Sequence, residues 1–328
     1  MRLYDLTLTN PQSGAVVKKW TSYPSGQFDP GALNVMFDII TSVGSIPVGA
    51  QSIIIEGVSL SDLDNAKQYG STIQQDGSVT GGVNLTLKGG MGAGLPLANP
   101  SQAGTLTQSA VFQSFGNWTG TDMSLALIVV PSSYSHGHPG NIVLNWQKGQ
   151  KLSDALQPAF AAAYPKAKAS INISSSLVAV RNETSFHGTF SQLARHVARI
   201  TASAPNGAVE MSFQNGAISV FDNTAQPPIV LFQFTDFVGQ PTWLAPQLIQ
   251  VKTVMRGDIQ VGNNVAFPVG FENAPGFVQT SQASQPGFGR YKSAIQGKFT
   301  VTQVRQIGNF RDPDGAAWST VFNCVPVP

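Results

Sequence analysis

The feature that most constrains this chain is a repeated alternation of apolar and polar residues over short stretches. Leu3-Tyr4-Asp5-Leu6-Thr7-Leu8-Thr9 alternates and stops at the turn former Asn10-Pro11. A period of two puts every second side chain on one face, which a half-buried strand satisfies and a helix does not. The pattern returns in Val35–Ile40, Ser52–Gly57, Gly82–Lys88, Ala110–Phe115 and Ser124–Val130, so the first block is predicted to be almost entirely β.

Two helices are predicted in the middle. Lys151–Tyr164 places Leu152, Leu156, Phe160 and Ala163 on one face, with Ser153 available as a cap and Pro165 as a stop. Pro158 implies a kink or a late start, because its ring removes a helical N–H donor. In Thr189–Ala202 a capping box at Thr189-Phe190-Ser191-Gln192 precedes the stripe Phe190, Leu193, Val197, Ile200. Short strands are predicted around them at Ala169–Ile173, Leu177–Val180, Ala208–Phe213, Ile218–Phe221 and Ile229–Phe234. Alternation resumes in Leu248–Met255, Val265–Pro268, Gly297–Val304 and Trp318–Val325. Glu272–Gly289 has no periodicity and reads as a long loop suited to ordering by a neighbouring subunit.

These blocks divide the 328 residues at 1–134, 141–238 and 246–328, the first and last β and the middle one α+β. Charged residues make up 11% of the chain, against about 25% in an ordinary soluble domain. The 42% hydrophobic content excludes a disordered chain, and a net charge of +2 gives no support to nucleic-acid binding. A surface of neutral polar groups suits broad protein–protein contacts. One cysteine, Cys324, excludes an intrachain disulfide and reads as a small, half-buried apolar residue at a strand end. Met1–Asn10 has no apolar core of a secretory signal, and Ala126–Pro131 is too short to span a bilayer. The chain is therefore expected to be made in the cytoplasm without a membrane anchor, where the triplets at Asn84, Asn117, Asn172 and Asn182 carry no glycosylation meaning.

The search for chemistry finds little. His136 and His138 flank Gly137 in a Gly/Pro-rich turn without a nearby third ligand, so they read as an exposed interdomain loop. His187 flanks the second helix, and His196 on it, between Arg195 and Arg199, reads as part of a solvated face. The glycine run Gly89–Gly94 lacks the spacing of a phosphate-binding loop, and Pro96 opposes a helix directly after it. Asp62 and Asp64 fall in a helical turn with a polar outer face, and Asp312-Pro313-Asp314-Gly315 is a turn signature. No catalytic, cofactor-binding or metal-ligating residue is assigned, and the chain is not read as an enzyme. Trp20, Trp118, Trp146, Trp243 and Trp318 are scattered over all blocks; they read mainly as core or interface residues, with ligand stacking as the alternative.

One succession of turns and strands is specific. Phe234-Thr235-Asp236-Phe237-Val238-Gly239-Gln240-Pro241-Thr242-Trp243 precedes Val254-Met255-Arg256-Gly257-Asp258-Ile259-Gln260-Val261-Gly262 and Phe267-Pro268. Gly297-Lys298-Phe299-Thr300-Val301, Gly308-Asn309-Phe310-Arg311 and Trp318–Cys324 follow, while Ile53–Ser59, Val83–Gly90 and Ala110–Phe112 fit upstream. This succession resembles the baseplate hub proteins of contractile-tailed phages, related to the hub portion of type VI secretion spikes. The resemblance implies a mainly β fold with two tube-like β-barrel domains flanking an α+β domain. It also implies a homotrimer whose pseudo-sixfold ring adapts a sixfold tail tube protein to a threefold central spike protein, beside other baseplate proteins, in a virion tail assembled in the host cytoplasm. Genomic DNA would meet such a ring only in transit through the lumen. A glycan- or receptor-binding tail protein is the alternative reading.

Overall fold

The computed structural model describes residues 1–44, 51–73, 75, 79–92, 99–131, 142–165, 167–268 and 297–327. The first block comprises β1 (Arg2–Thr9), β2 (Val16–Thr21), β3 (Asn34–Ser42), β4 (Gln51–Glu56), α1 (Leu60–Asp64), α2 (Ala66–Tyr69), β5 (Thr72–Ile73), β6 (Val79–Thr80), β7 (Asn84–Met91), β8 (Gly104–Thr119) and β9 (Asp122–Pro131). The alternation read from sequence is the burial pattern itself. Tyr4, Leu6 and Leu8 of β1 are wholly buried, and Asp5 and Thr7 between them are not. Antiparallel pairing sets Leu6 beside Leu87 and Leu8 beside Leu85, and builds the apolar rows Val35–Ile55–Leu125 and Phe37–Ile53–Leu127 across β3, β4 and β9. Such cross-strand pairs fix register, because a slip by one residue would turn each row to solvent.

β8 is longer than its alternation predicts. A bulge between Val111 and Gln113 leaves Phe112 as an extra residue, shifts the phase, and hides the continuity of the strand from a period-two reading.

The middle block contains β10 (Ile142–Leu144), α3 (Leu152–Ala163), β11 (Lys168–Asn172), β12 (Phe186–Gly188), α4 (Phe190–Thr201), β13 (Glu210–Gln214) and β14 (Ala217–Phe221). Helix α4 starts at the expected capping box: Gln192 N donates to Thr189 Oγ1 at 3.4 Å, and Thr189 N donates to Gln192 Oε1 at 2.9 Å. Helix α3 departs from expectation. It runs unbroken from Leu152 through Pro158, which sits on the exposed side of the helix, where the N–H it lacks costs least. Ser153 is not its cap; Lys151 precedes the first turn without a side-chain cap, and the Ser153 hydroxyl donates to Asp154. Leu177–Val180 is not a strand either. Its backbone clasps the start of α3, with Leu152 N donating to Leu177 O and Ala179 N to Gln150 O.

β15 (Ile229–Leu231), β16 (Thr242–Ala245), β17 (Leu248–Val254), β18 (Asn264–Ala266), β19 (Lys298–Asn309) and β20 (Trp318–Pro326) complete the chain. The main sheet has 13 strands along the path β16-β17-β20-β19-β3-β4-β9-β8-β7-β1-β2, with β18 beside β19 and β15 beside β18. One edge of β19 is occupied by β18 over its first residues and by β3 from Gln303 onward. The fold is mainly β with a smaller α+β part, as expected. The described pairings do not close either half into a barrel; a single open sheet runs through both, because β19 is long enough to serve two neighbours.

Three hydrophobic cores lie along this frame. The first gathers Tyr4 to Val129 and also takes Met255 and Trp318 from the last block. The second belongs to the middle block, from Ile142 to Val220. The third, from Phe221 to Cys324, is packed by Phe232, Phe267, Phe299 and Phe322. Cys324 is fully buried there rather than half-buried, and desolvation pushes its thiol far above the ordinary range.

Candidate functional site

The residues that most nearly form a site lie where the first and last blocks meet. Two short 3-10 turns, Pro100–Gln102 and Phe234–Asp236, face the chain leaving β17 at Arg256-Gly257-Asp258. Gly257 N donates to Gln102 O at 2.9 Å. The approach is so close that a Cβ on Gly257 would lie 2.6 Å from the Gly104 carbonyl carbon, and one on Gly104 2.8 Å from that of Gly257. No side chain larger than hydrogen fits at either position.

Arg256 is buried here to 2% exposure. Its guanidinium makes a bidentate pair with Asp258 at 2.8 and 2.7 Å, and Nη1 donates to Asp236 Oδ2 at 3.2 Å. Asp236 also accepts from Gln102 Nε2 at 2.7 Å and from Gln233 N at 2.9 Å. Phe232 lies 5.2 Å beneath the guanidinium. A cation and two carboxylates are thus held by hydrogen bonds from both blocks, which is the condition for a buried charge to be tolerated. Both oxygens of Asp236 are engaged within the protein, and the more open Asp258 carboxylate is held by Arg256, so the cluster acts as a joint.

A second joint ties the turn after β19 to the start of the chain. Arg2 Nη1 donates to the Asn309 and Phe310 carbonyls at 2.7 and 3.1 Å, and the same guanidinium reaches Asp312 and Asp314 carbonyls. Arg311 reaches back to the Pro30 and Ala32 carbonyls. Phe310 packs edge-on against Tyr4 at 4.9 Å, and Trp318 against Phe37 at 5.4 Å. Trp318 Nε1 donates to Gly90 O at 3.0 Å. Tyr4 OH donates to Leu33 O at 2.9 Å, and burial pushes this phenol up to about 12. The middle block is attached separately, through paired hydrogen bonds of 3.0 and 3.1 Å between the Gln214 amide and the Val261 backbone.

The residues singled out from sequence fare differently. His136 and His138, the residues from Ala93 to Pro96, and the loop Glu272–Gly289 lie outside the described residues. Gly89 and Gly90 are buried strand residues, not a flexible turn; a Cβ would meet Leu106 Cδ1 or Ala103 Cβ at 2.6 Å. Asp62 does not face solvent. It is buried, pairs with Lys18 at 2.5 Å and accepts from Ser59 Oγ. Asp312 and Asp314 do form successive turns, accepting from Asp314 N and Ala316 N. His196 is half-buried and stacks on Phe186 at 5.0 Å, and burial, aided by Arg199 and opposed by Glu183, lowers its pKa. Among the described residues no group of three or more His, Cys, Asp or Glu could hold a metal ion, and no helix is long and apolar enough to cross a membrane. Four of the five tryptophans are core residues; Trp118, near the tip of the β8–β9 hairpin, is 63% exposed.

The Arg256 joint was not recognised from the sequence. Its signal was present, since Val254-Met255-Arg256-Gly257-Asp258-Ile259 sets two charges among apolar residues in a chain otherwise poor in charge.

No family model matches the sequence, and no curated protein matches it. Comparison of folds does find structural neighbours. The tail protein from Neisseria meningitidis MC58 aligns over 98% of this chain and 96% of its own, with a TM-score of 0.52 and 11% identity. The 43 kDa tail protein of prophage MuSo2 from Shewanella oneidensis covers 99% of this chain and 98% of its own, with a TM-score of 0.48 and 8% identity. An E. coli type VI secretion component, described as structurally similar to the T4 bacteriophage tail proteins gp27 and gp5, covers 90% and 74%, also at 0.48 and 8%. The structural neighbours are tail and type VI secretion proteins, the group that the succession of strands and turns resembles. The Neisseria protein shows that the likeness is one of fold, over nearly the whole length of both chains.

Proposed function

We propose that this chain is a structural virion protein, a baseplate hub subunit that adapts a sixfold tail tube to a threefold central spike and has no catalytic turnover. The observation that carries this reading is the near-complete shared fold with a tail protein, in a chain whose most elaborate polar cluster ties two blocks together and is not an open site. In this reading 1–134 and 246–328 are two tube-like halves and 141–238 a middle α+β domain, whose last strand, β15, joins the sheet through β18. The sheet shared through β3 and β19 sets the two halves at a fixed relation, which a ring of three chains with six tube-like units requires. Its partners would be two further copies, the tube protein, the spike protein and other baseplate proteins, with DNA passing through the lumen.

Negative-stain imaging of the purified chain, alone and mixed with tail-tube protein, tests this. Threefold particles capping tubes are expected; monomers that never join tubes at high concentration would overturn it. One observation favours the receptor-binding alternative: Trp118 is displayed near a hairpin tip with its Nε1 already donating to Gly120 O at 2.9 Å. The indole is held in place with a face open for stacking. Glycan-array binding lost in Trp118→Ala would favour that reading, and an array without signal would remove it.

A further inference from the structure

A cleft of about 1010 Å³ opens between the middle core and the last core. One wall carries Glu210, at the start of β13, and the other carries Ile229, at the start of β15. Three properties of these walls are independent of one another.

First, Glu210 is half-buried without a hydrogen-bonding or ionic side-chain partner among the described residues, and desolvation raises its pKa. The other charged groups lining the cleft do not relieve it. Lys298 makes no ion pair with it, and Asp222 is occupied by the backbone N–H groups of Ser174 and Thr224. Second, β15 pairs with β18 on one side and with no other described strand on its opposite side. Third, Ile229, which lines the cleft, and Leu231, two residues beyond its lining, are 37% and 69% exposed, and their i, i+2 spacing places them on one face of β15. Pro227 and Pro228, which line the same cleft, have no N–H to donate, so backbone pairing along this edge is limited to β15 itself.

We propose that this cleft is a docking groove for a short extended segment of a protein partner, which adds as a strand to β15 and places a lysine or arginine against Glu210. Strand addition would satisfy the edge of β15 that no described strand occupies. Alternating apolar side chains of the segment would cover Ile229 and Leu231, and its cation would compensate the desolvated carboxylate. A neutral or acidic segment would leave Glu210 unpaired, so the groove selects for a basic residue. This inference stands apart from the hub reading, since it rests on none of the sheet pairing between the first and last blocks.

The test uses the full chain and two fluorescein-labelled, end-blocked heptapeptides of alternating valine and threonine, with lysine or norleucine at the centre. Fluorescence anisotropy is expected to show the lysine peptide binding about fivefold tighter or more. Glu210→Gln should erase that preference, and Leu231→Asp should weaken both peptides. Glu210→Gln is isosteric and Leu231 is exposed, so both variants should keep the wild-type unfolding temperature. Hydrogen exchange should show protection at Ile229–Leu231 only in the complex. Failure of both peptides to bind, a preference that persists in Glu210→Gln, or protection confined to another edge would each overturn the proposal.

Discussion

Replacing Arg256 by methionine tests the joint between the first and last blocks most directly. Methionine fills much of the volume and keeps an apolar contact with Phe232, but it strands the Asp236 carboxylate at a site 4% exposed. Gln102 Nε2 and Gln233 N would still donate to it, while the one cation that pairs with it among the described residues would be gone. Asp258 is more open and can turn to water. Breaking a buried pair from one side costs about 3–5 kcal/mol. Asp236→Asn should be milder, about 1–2 kcal/mol. The unpartnered Gln102 Oε1 allows that amide to flip and accept from the new Asn N–H, and Arg256 keeps its bidentate pair with Asp258. The double variant Asp236→Asn/Arg256→Met removes both charges and should cost less than the sum by about 2 kcal/mol. Arg305→Met is the control: its pair with Asp38 is half-exposed and worth about 0–1 kcal/mol. Urea unfolding followed by tryptophan fluorescence measures all four, with hydrogen exchange at 100–106 and 255–259 reporting on the joint. If Arg256→Met costs no more than Arg305→Met, the buried cluster does not hold the blocks together.

Three further outcomes follow from the packing. Trp318→Ala should cost about 3–5 kcal/mol, and exchange should accelerate in β1 and β7 more than in β17, since this side chain fills the first core. Protection of β1 and β7 that is unchanged in a folded variant would contradict that placement. Gly308→Ala should destabilise by about 1–3 kcal/mol because the new Cβ would lie 2.2 Å from Phe37 Cζ; Phe37→Leu in the same chain should recover part of the loss, and an additive pair would refute the contact. Folding lowers the pKa of His196, so the unfolded chain binds more protons around and below its ordinary value near 6.5, and stability should fall as pH drops through that range. Unfolding temperatures between pH 5 and 8 should show a shallower slope in His196→Gln; an identical slope would rule out this residue as a contributor.

Much of the fold was legible because burial follows period two wherever a strand pairs in phase, as in β1 and β7. Legibility failed where phase or partners were non-local. The bulge at Phe112 masked the length of β8, and Leu177–Val180 looked like a strand although its backbone instead holds the start of α3. Pro158 implied a kink or a late start, but the helix starts at Leu152 and carries the proline on its exposed side. Glycines at 89 and 90 suggested a loop because sequence shows their freedom and not the neighbours that exclude a Cβ. The Arg256 cluster depended on contacts with Gln102 and Asp236, which lie in segments far apart along the chain.

The placement of Trp318 in the first core also sets an order of events during synthesis. β1, β4, β7, β8 and β9 emerge from the ribosome early, yet the indole that packs on Phe37 and accepts a place beside Gly90 arrives almost 200 residues after β9. Such long sequence separation slows folding. The block translated first is therefore completed last, and a nascent or truncated chain would keep that core open. A fragment ending before Trp318 would leave a gap in that core beside Phe37 and Gly90.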